Sequence, residues 1–161
     1  MILFQQLIAI LTQNKVEFVL IGGLAAVAQG SAYVTADIDI CYNRSHQNIE
    51  NLVQALAPLH PKLRGITESV PFQWDKNTLK QGMNFTLITH LGDIDLLGEV
   101  AGLGNYQMVR KESETMKLYG MDISVMTLDG LIKSKKAAGR QKDLEHLKEL
   151  NALKKMRGSS S

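Results

Sequence analysis

Leu20-Ile21-Gly22-Gly23, followed after thirteen residues by Asp37-Ile38-Asp39-Ile40, is the stretch on which the reading of this chain turns. Residues 16–21 are a short β-prone run, predicted as a buried strand. The glycine pair ends it, and residues 24–29 read as a helix of about two turns closed by Gly30. Glycines at a strand-to-helix junction allow a sharp turn and close approach to a ligand. The helix that follows presents unpaired N–H groups and a positive dipole end, which suit phosphate. Residues 37–42 then alternate as a strand, with Ile38 and Ile40 to one side and Asp37, Asp39 and Cys41 to the other. Two like charges on one strand face repel, and a divalent cation relieves that repulsion.

A second pair, Asp93-Ile94-Asp95, repeats the pattern later in the chain. Residues 83–90 and 93–97 flank Leu91-Gly92 and read as a β-hairpin. If the second arm lies beside the first acidic strand, three carboxylates converge: Asp37, Asp39 and Asp95. Asp95 is preferred to Asp93, which sits at the predicted turn. An all-oxygen cluster suits Mg2+ or Mn2+ rather than zinc, and the third carboxylate can serve as a general base.

The remaining segments alternate helix and strand. Residues 2–13 carry apolar positions at Leu3, Leu7, Ile8, Ile10 and Leu11, the spacing of an amphipathic helix broken by Asn14-Lys15. Ser45 is a candidate N-cap for a helix reaching Ala57-Pro58. Residues 59–82 are punctuated by Pro61, Gly65 and Pro71, with Asp75 capping a short helix. Residues 98–115 read as a flexible connection with one helical piece, and residues 118–126 as a last strand bent at Gly120. Thr127 can cap a helix to Ala138. After Gly139 a final helix runs from Gln141 to about Met156, with Leu144, Leu147, Leu150 and Leu153 on one face. Together these predict an α/β (α+β) fold, a small mixed β-sheet with flanking helices, as one domain over residues 1–157 with a tail at 158–161.

Composition narrows the classes further. With 45% hydrophobic and 21% charged residues, the 161-residue chain is ordinary for a globular protein. No apolar run approaches the roughly 18 residues of a membrane span. The N-terminus lacks the features of a signal peptide, and Cys41, the single cysteine, excludes an intrachain disulfide; both fit a cytoplasmic setting. The net charge of +2 conceals an asymmetry: residues 133–157 hold nine basic and three acidic side chains, a net of +6. Such a region suits a polyanion, either a nucleotide triphosphate or a nucleic acid. The phosphate loop Gly-x-x-x-x-Gly-Lys-Ser/Thr is absent, and the histidines lack zinc-ligand spacing.

Gly22-Gly23, the spacer and Asp37-Ile38-Asp39-Ile40, with Ile94-Asp95-Leu96-Leu97 as a third acidic strand, resemble the signature of the DNA polymerase β-like nucleotidyltransferase superfamily. Thr35, two residues before the first aspartate, matches small bacterial members, although Tyr33 stands where many of them carry arginine. Residues 131–143 are similar to the closing helices of abortive-infection toxin nucleotidyltransferases. There a helical lysine and a later basic–acidic pair help form the nucleotide site, which maps here to Lys135, Arg140, Lys142 and Asp143. The resemblance implies Mg2+- or Mn2+-dependent transfer of NMP from an NTP to a hydroxyl, with release of pyrophosphate. The implied nucleotide-binding residues are Gly22, Gly23, Thr35, Lys135, Arg140, Lys142 and Asp143, and the implied catalytic and metal-binding residues are Asp37, Asp39 and Asp95. A protein, an RNA or a small molecule can each be the acceptor, and a protein partner or homodimer can complete its site. Two other functions compete: a non-catalytic nucleotide- or partner-binding module of toxin–antitoxin type on the same fold, and nucleic-acid binding through the basic closing helices.

Overall fold

A computed structural model describes residues 3–66 and 71–159. Its strands are β1 (Phe18–Ile21), β2 (Asp37–Tyr42), β3 (Lys62–Leu63), β4 (Asn84–Thr89), β5 (Gly92–Leu97), β6 (Glu99–Val100), β7 (Gly104–Asn105), β8 (Ser113–Leu118) and β9 (Met121–Met126). The helices are α1 (Phe4–Gln13), α2 (Gly22–Ala28), α3 (His46–Leu56), α4 (Lys76–Gln81), α5 (Tyr106–Lys111), α6 (Leu128–Ala138) and α7 (Gln141–Ser159). Seven strands form one mixed sheet in the order β3-β4-β5-β2-β1-β9-β8, and β6 pairs with β7 apart from it. The mixed sheet with flanking helices is the architecture the sequence predicts.

The sheet centre explains its own stability. All four residues of β1 are buried, as are Ile38 and Ile40 of β2 and Ile94 and Leu96 of β5. Strands covered on both faces read as continuous apolar runs, which is why β1 was legible without alternation. Around this centre β1 pairs antiparallel with β2 and parallel with β9, and β2 pairs parallel with β5. Three helix starts follow the predicted caps: Ser45 accepts from Asn48 N, Asp75 from Thr78 N and Thr127 from Gly130 N. Arg44 donates to the carbonyls of Leu79 and Lys80 at the end of α4 and to the Tyr42 hydroxyl. The end of β2 is thereby tied to the start of the β4–β5 hairpin, where Tyr42 donates to the Met83 carbonyl.

Several boundaries differ from the sequence reading. Gly22 opens α2, so the glycine pair lies in the first turn of the helix rather than before it. Residues 113–126 form two strands, not one bent strand: Tyr119 and Gly120 both take positive φ (53° and 79°) and close a two-residue hairpin. That turn conformation favours Asn-Gly, and Tyr-Gly does not announce it. The connection at 98–115 holds the β6–β7 pair and α5 in place of a flexible segment. On α7 Leu150 is buried and Leu147 and Leu153 pack against the core as expected, but Leu144 is 45% exposed, and Asp143 and His146 take up the buried face at the helix start. Finally, α7 continues to Ser159, into the expected tail, whose Ser160 and Ser161 lie outside the described residues, as do the start of the predicted first helix and part of the 59–82 segment.

Asn48 is the polar pin of this scaffold. Buried at the start of α3, it accepts from Glu17 N (2.6 Å) and donates to the carbonyls of Glu17 (3.0 Å) and Asn43 (2.6 Å). Those groups flank β1 and β2, so the side chain holds the two strands against α3. Asn48→Ala removes these three hydrogen bonds, leaving the Glu17 carbonyl only the Asn43 N–H, and urea denaturation is expected to show a loss of about 2–4 kcal/mol; a loss below roughly 0.5 kcal/mol would remove this role.

Candidate active site

Strand register brings the carboxylates together. In the parallel β2–β5 pair Asp37 lies opposite Asp93 and Asp39 opposite Asp95. Because strand side chains alternate with period two, all four project from one face. Oxygen atoms of Asp37, Asp39 and Asp95 lie within 4.8 Å of one another. Gly22 completes the arrangement from below. Ile21 pairs with Asp39, and a Cβ on Gly22, whose φ is +67°, would overlap the Asp39 carboxylate. The glycine is therefore required both by its backbone conformation and by the close approach of the acid.

A cavity of about 520 Å³ opens over this face. All ten residues singled out in the sequence line it: Gly22, Gly23, Thr35, Asp37, Asp39, Asp95, Lys135, Arg140, Lys142 and Asp143. Thr35 donates to the Asp37 carbonyl (2.9 Å) and stands against Gly23, where an added Cβ would meet its side chain at 2.7 Å. The opposite wall is cationic. Asp143 is fully buried, accepts from Lys135 Nζ (3.2 Å) and from Arg140 Nε (2.6 Å), and also accepts from the Arg140 backbone N–H at the start of α7. Burial opposes its charge, but these hydrogen bonds outweigh burial and hold its pKa down at about 2. Asp143 thus fixes Lys135 and Arg140 on the wall facing the acidic strands, as an acid at the third helical position can do by reaching back to the helix start.

The acidic face has the reverse electrostatics. Burial, the charge of Asp37 and contact with Asp95 push the Asp39 carboxyl up to about 8, with Lys135 pulling the other way. Asp37 is also raised, by burial and by Asp95, against a lowering by Arg64. A site that penalises its own negative charge and offers only oxygen donors fits a hard divalent cation, so the triad suits Mg2+ or Mn2+.

Two residues of this site escaped the sequence reading. Arg64 follows the edge strand β3 and contacts Asp95 (2.6 Å), Asp93 (3.2 Å) and Asp37 (3.7 Å). A two-residue strand between Pro61 and Gly65 has no periodicity to reveal it. His146 stacks on Tyr33 (centroids 4.5 Å apart, planes at 18°), and neither of its buried ring nitrogens has a hydrogen-bond partner. Burial and Lys135 lower its pKa, which favours the neutral ring. Its spacing from Asp143, one turn along α7, was the available signal. Glu149, one turn further, accepts from Ser31 Oγ and Ala32 N and so pins the loop that carries Tyr33. Away from the cavity, Trp74 donates to the Val53 carbonyl and packs with Phe72 against the core. The Cys41 thiol is buried, which pushes it up to about 12.

A mixed sheet presenting acidic strands beside a glycine turn is the nucleotidyltransferase fold, and solved structures share it. The lincosamide antibiotic adenylyltransferase LnuA, bound to lincomycin, matches with a TM-score of 0.61 at 15% identity, over 93% of this chain and 95% of that one. ANT(2'')-Ia in complex with adenylyl-2''-tobramycin matches with a TM-score of 0.56 at 11% identity, over 98% and 97%. TM1012 from Thermotoga maritima matches with a TM-score of 0.54 at 17% identity, over 97% and 91%. No curated protein matches the chain by sequence. The chain belongs to the family described as nucleotidyl transferase of unknown function (DUF2204), whose model matches residues 3–160, and is a nucleotidyltransferase.

Two outcomes test this geometry. Gly22→Ala is expected to destabilise the fold by about 1–3 kcal/mol through φ strain and displacement of Asp39; an unchanged denaturation midpoint would show that the close approach is not required. The second concerns pH. The folded pKa of Asp39, about 8, lies above its ordinary 3.8. The folded state therefore holds the extra proton between these values, and stability from this group is lost as pH rises through that window. In EDTA, Asp39→Asn should gain in melting temperature over the wild type progressively from pH 5 to pH 8.5, and Mn2+ should narrow the gap by stabilising only the wild type. A gap independent of pH would contradict the assignment.

Proposed function

We propose that this protein transfers NMP from a Mg2+- or Mn2+-bound NTP to a hydroxyl of a small-molecule acceptor, releasing pyrophosphate. The observation that carries the reading is the convergence of Asp37, Asp39 and Asp95 on one sheet face, opposite the Lys135–Arg140–Asp143 wall of a single cavity. In this reading Asp37, Asp39 and Asp95 hold the cation, which when bound neutralises the phosphates and the charge that develops on the leaving pyrophosphate. Gly22 and Gly23 let the backbone come close to the phosphates, and Thr35 braces that turn. Lys135 and Arg140 present positive charge to the triphosphate, and Lys142 extends it at the exposed rim. Asp95 takes the proton of the acceptor hydroxyl as its oxygen attacks the α-phosphorus and the bond to the β-phosphate oxygen breaks.

The acceptor class rests on likeness. LnuA and ANT(2'')-Ia, whose names and ligands mark them as acting on antibiotics, share the fold over nearly their whole length. Against a nucleic-acid surface, Lys133, Lys135, Arg140, Lys154 and Arg157 in the basic closing helices each engage a partner within the chain. A second reading keeps the fold but not the chemistry: a nucleotide- or partner-binding module, as in a toxin–antitoxin pair. Its support is the ring of Tyr33 stacked on His146 in the cavity wall.

Incubation with each α-labelled NTP, Mg2+ and fractionated cell extract separates these readings. Label is expected in the small-molecule fraction, dependent on the divalent cation. Asp39→Ala should lower the rate by about 10³-fold or more, the scale of losing several kcal/mol of charge stabilisation, while the fold is retained. Calorimetric NTP binding with no labelled product in any fraction would favour the binding module, and full activity in Asp39→Ala would refute the mechanism.

A further inference from the structure

Resting on the proposed transfer reaction, we infer that Arg64 is a positioning residue: from the sheet edge its guanidinium holds the Asp95 carboxylate in the attitude the reaction needs and leaves the Asp39 end of the acidic face open to the cation.

The strand register places Arg64 in line with the acids. Arg64 N donates to the Thr86 carbonyl (2.9 Å), continuing the β3–β4 ladder by one residue. Thr86 is opposite Asp95 in the β4–β5 pair, and Asp95 is opposite Asp39 in the β5–β2 pair. Arg64, Thr86, Asp95 and Asp39 thus form one row across four neighbouring chain segments. Thr86 is short, so a long side chain from the row's outer end can pass over it to reach the carboxylates. Arginine has the length and a rigid planar fork suited to two acids at once. One nitrogen meets Asp95 at 2.6 Å and approaches Asp37 at 3.7 Å, and the other meets Asp93 at 3.2 Å.

The distribution of these contacts is what separates positioning from a stabilising surface pair. Arg64 is three-quarters buried and one of its terminal nitrogens is wholly out of water, so the pair is not a solvated surface bridge of small effect. Among the described residues it pairs with Asp37, Asp93 and Asp95 and not with Asp39. The guanidinium therefore caps the acidic face from its outer side, while Lys135 and Arg140 stand across the cavity. Hydrogen-bonded partners of metal-binding carboxylates orient them in this way, and their loss typically costs about 10–100-fold in affinity or activity.

Arg64→Met and Arg64→Lys test the assignment against the wild type. Two quantities are read: Mn2+ affinity of the nucleotide-free protein, by electron paramagnetic resonance, and label transfer from α-labelled ATP to the small-molecule fraction of cell extract. The methionine variant is expected to lose about 10–100-fold in maximal rate, with the half-saturating ATP concentration changed by less than about threefold. Its Mn2+ binding should tighten by about threefold or more, because a positive charge beside the carboxylates is gone. Lysine keeps the charge but not the fork, so it should restore wild-type Mn2+ affinity and only part of the rate. Slower transfer with tighter metal is not what a merely structural pair produces. A rate within about twofold of the wild type, or Mn2+ affinity falling in step with melting temperature, overturns the inference. A wild type that binds Mn2+ but transfers no label overturns the proposed reaction instead, and the Mn2+ difference between wild type and the methionine variant still decides whether Arg64 faces the cation site.

Discussion

The parallel pairing of β2 with β5 is the constraint to which the other site features answer. Its register sets Asp39 beside Asp95 and Asp37 beside Asp93, concentrating four carboxylates where the sheet is otherwise apolar. Such a concentration is unfavourable by itself, and the surrounding structure reads as a set of responses to it. Burial and mutual repulsion keep Asp39 inclined to hold a proton. Arg64 comes in from the edge, Lys135 and Arg140 stand across the cavity, and Gly22 gives up its side chain so that Asp39 fits. The apolar partners in the same register, Ile38 with Ile94 and Ile40 with Leu96, are fully buried on the other face and prevent a slip. A shift by one residue would bury the acids and expose the core.

What the sequence disclosed follows from how locally each feature is encoded. The β1–α2 turn, the alternation of β2, the β4–β5 hairpin and the three side-chain caps are written in residues that touch one another along the chain. The convergence of Asp95 with Asp37 and Asp39 was readable only as a condition on strand pairing, which the structure meets. The β8–β9 hairpin was obscured because Tyr119 takes a left-handed conformation that aromatic residues seldom adopt. Arg64 was illegible for a different reason: its role depends on the order β3-β4-β5-β2, and nothing within residues 61–65 specifies three pairings elsewhere. On α7 the leucine spacing found the packed face at Leu147, Leu150 and Leu153 but not its first turn: Leu144 is exposed, and the stripe begins instead with Asp143, whose burial Lys135 and Arg140 make tolerable, and with His146, whose Nε2 lies 3.5 Å from Glu149.

The two walls of the cavity are built by opposite electrostatic strategies. On the helical wall an acid is buried with its cations in place, so Asp143 remains charged far below neutral pH and acts as a fixed post. On the sheet wall the acids outnumber their cation, and the balance is left to be supplied from outside. The helical wall keeps a net positive charge and the sheet wall a net negative one, so the two walls of the cavity favour opposite signs.

The C-terminal helix reaches back over most of the chain's length. Asp143 holds Lys135, Glu149 holds the loop at Ser31 and Ala32, and Arg157 donates to the Gln29 carbonyl at the end of α2. The central sheet likewise waits for β9 to cover β1. Lys135 and Arg140, which face the acidic strands across the cavity, thus follow them by about forty residues or more in the chain, while Arg64 precedes β5. Contacts this distant in sequence carry a large loop-closure cost and make folding slow, which sets the fold's topology against its rate of formation.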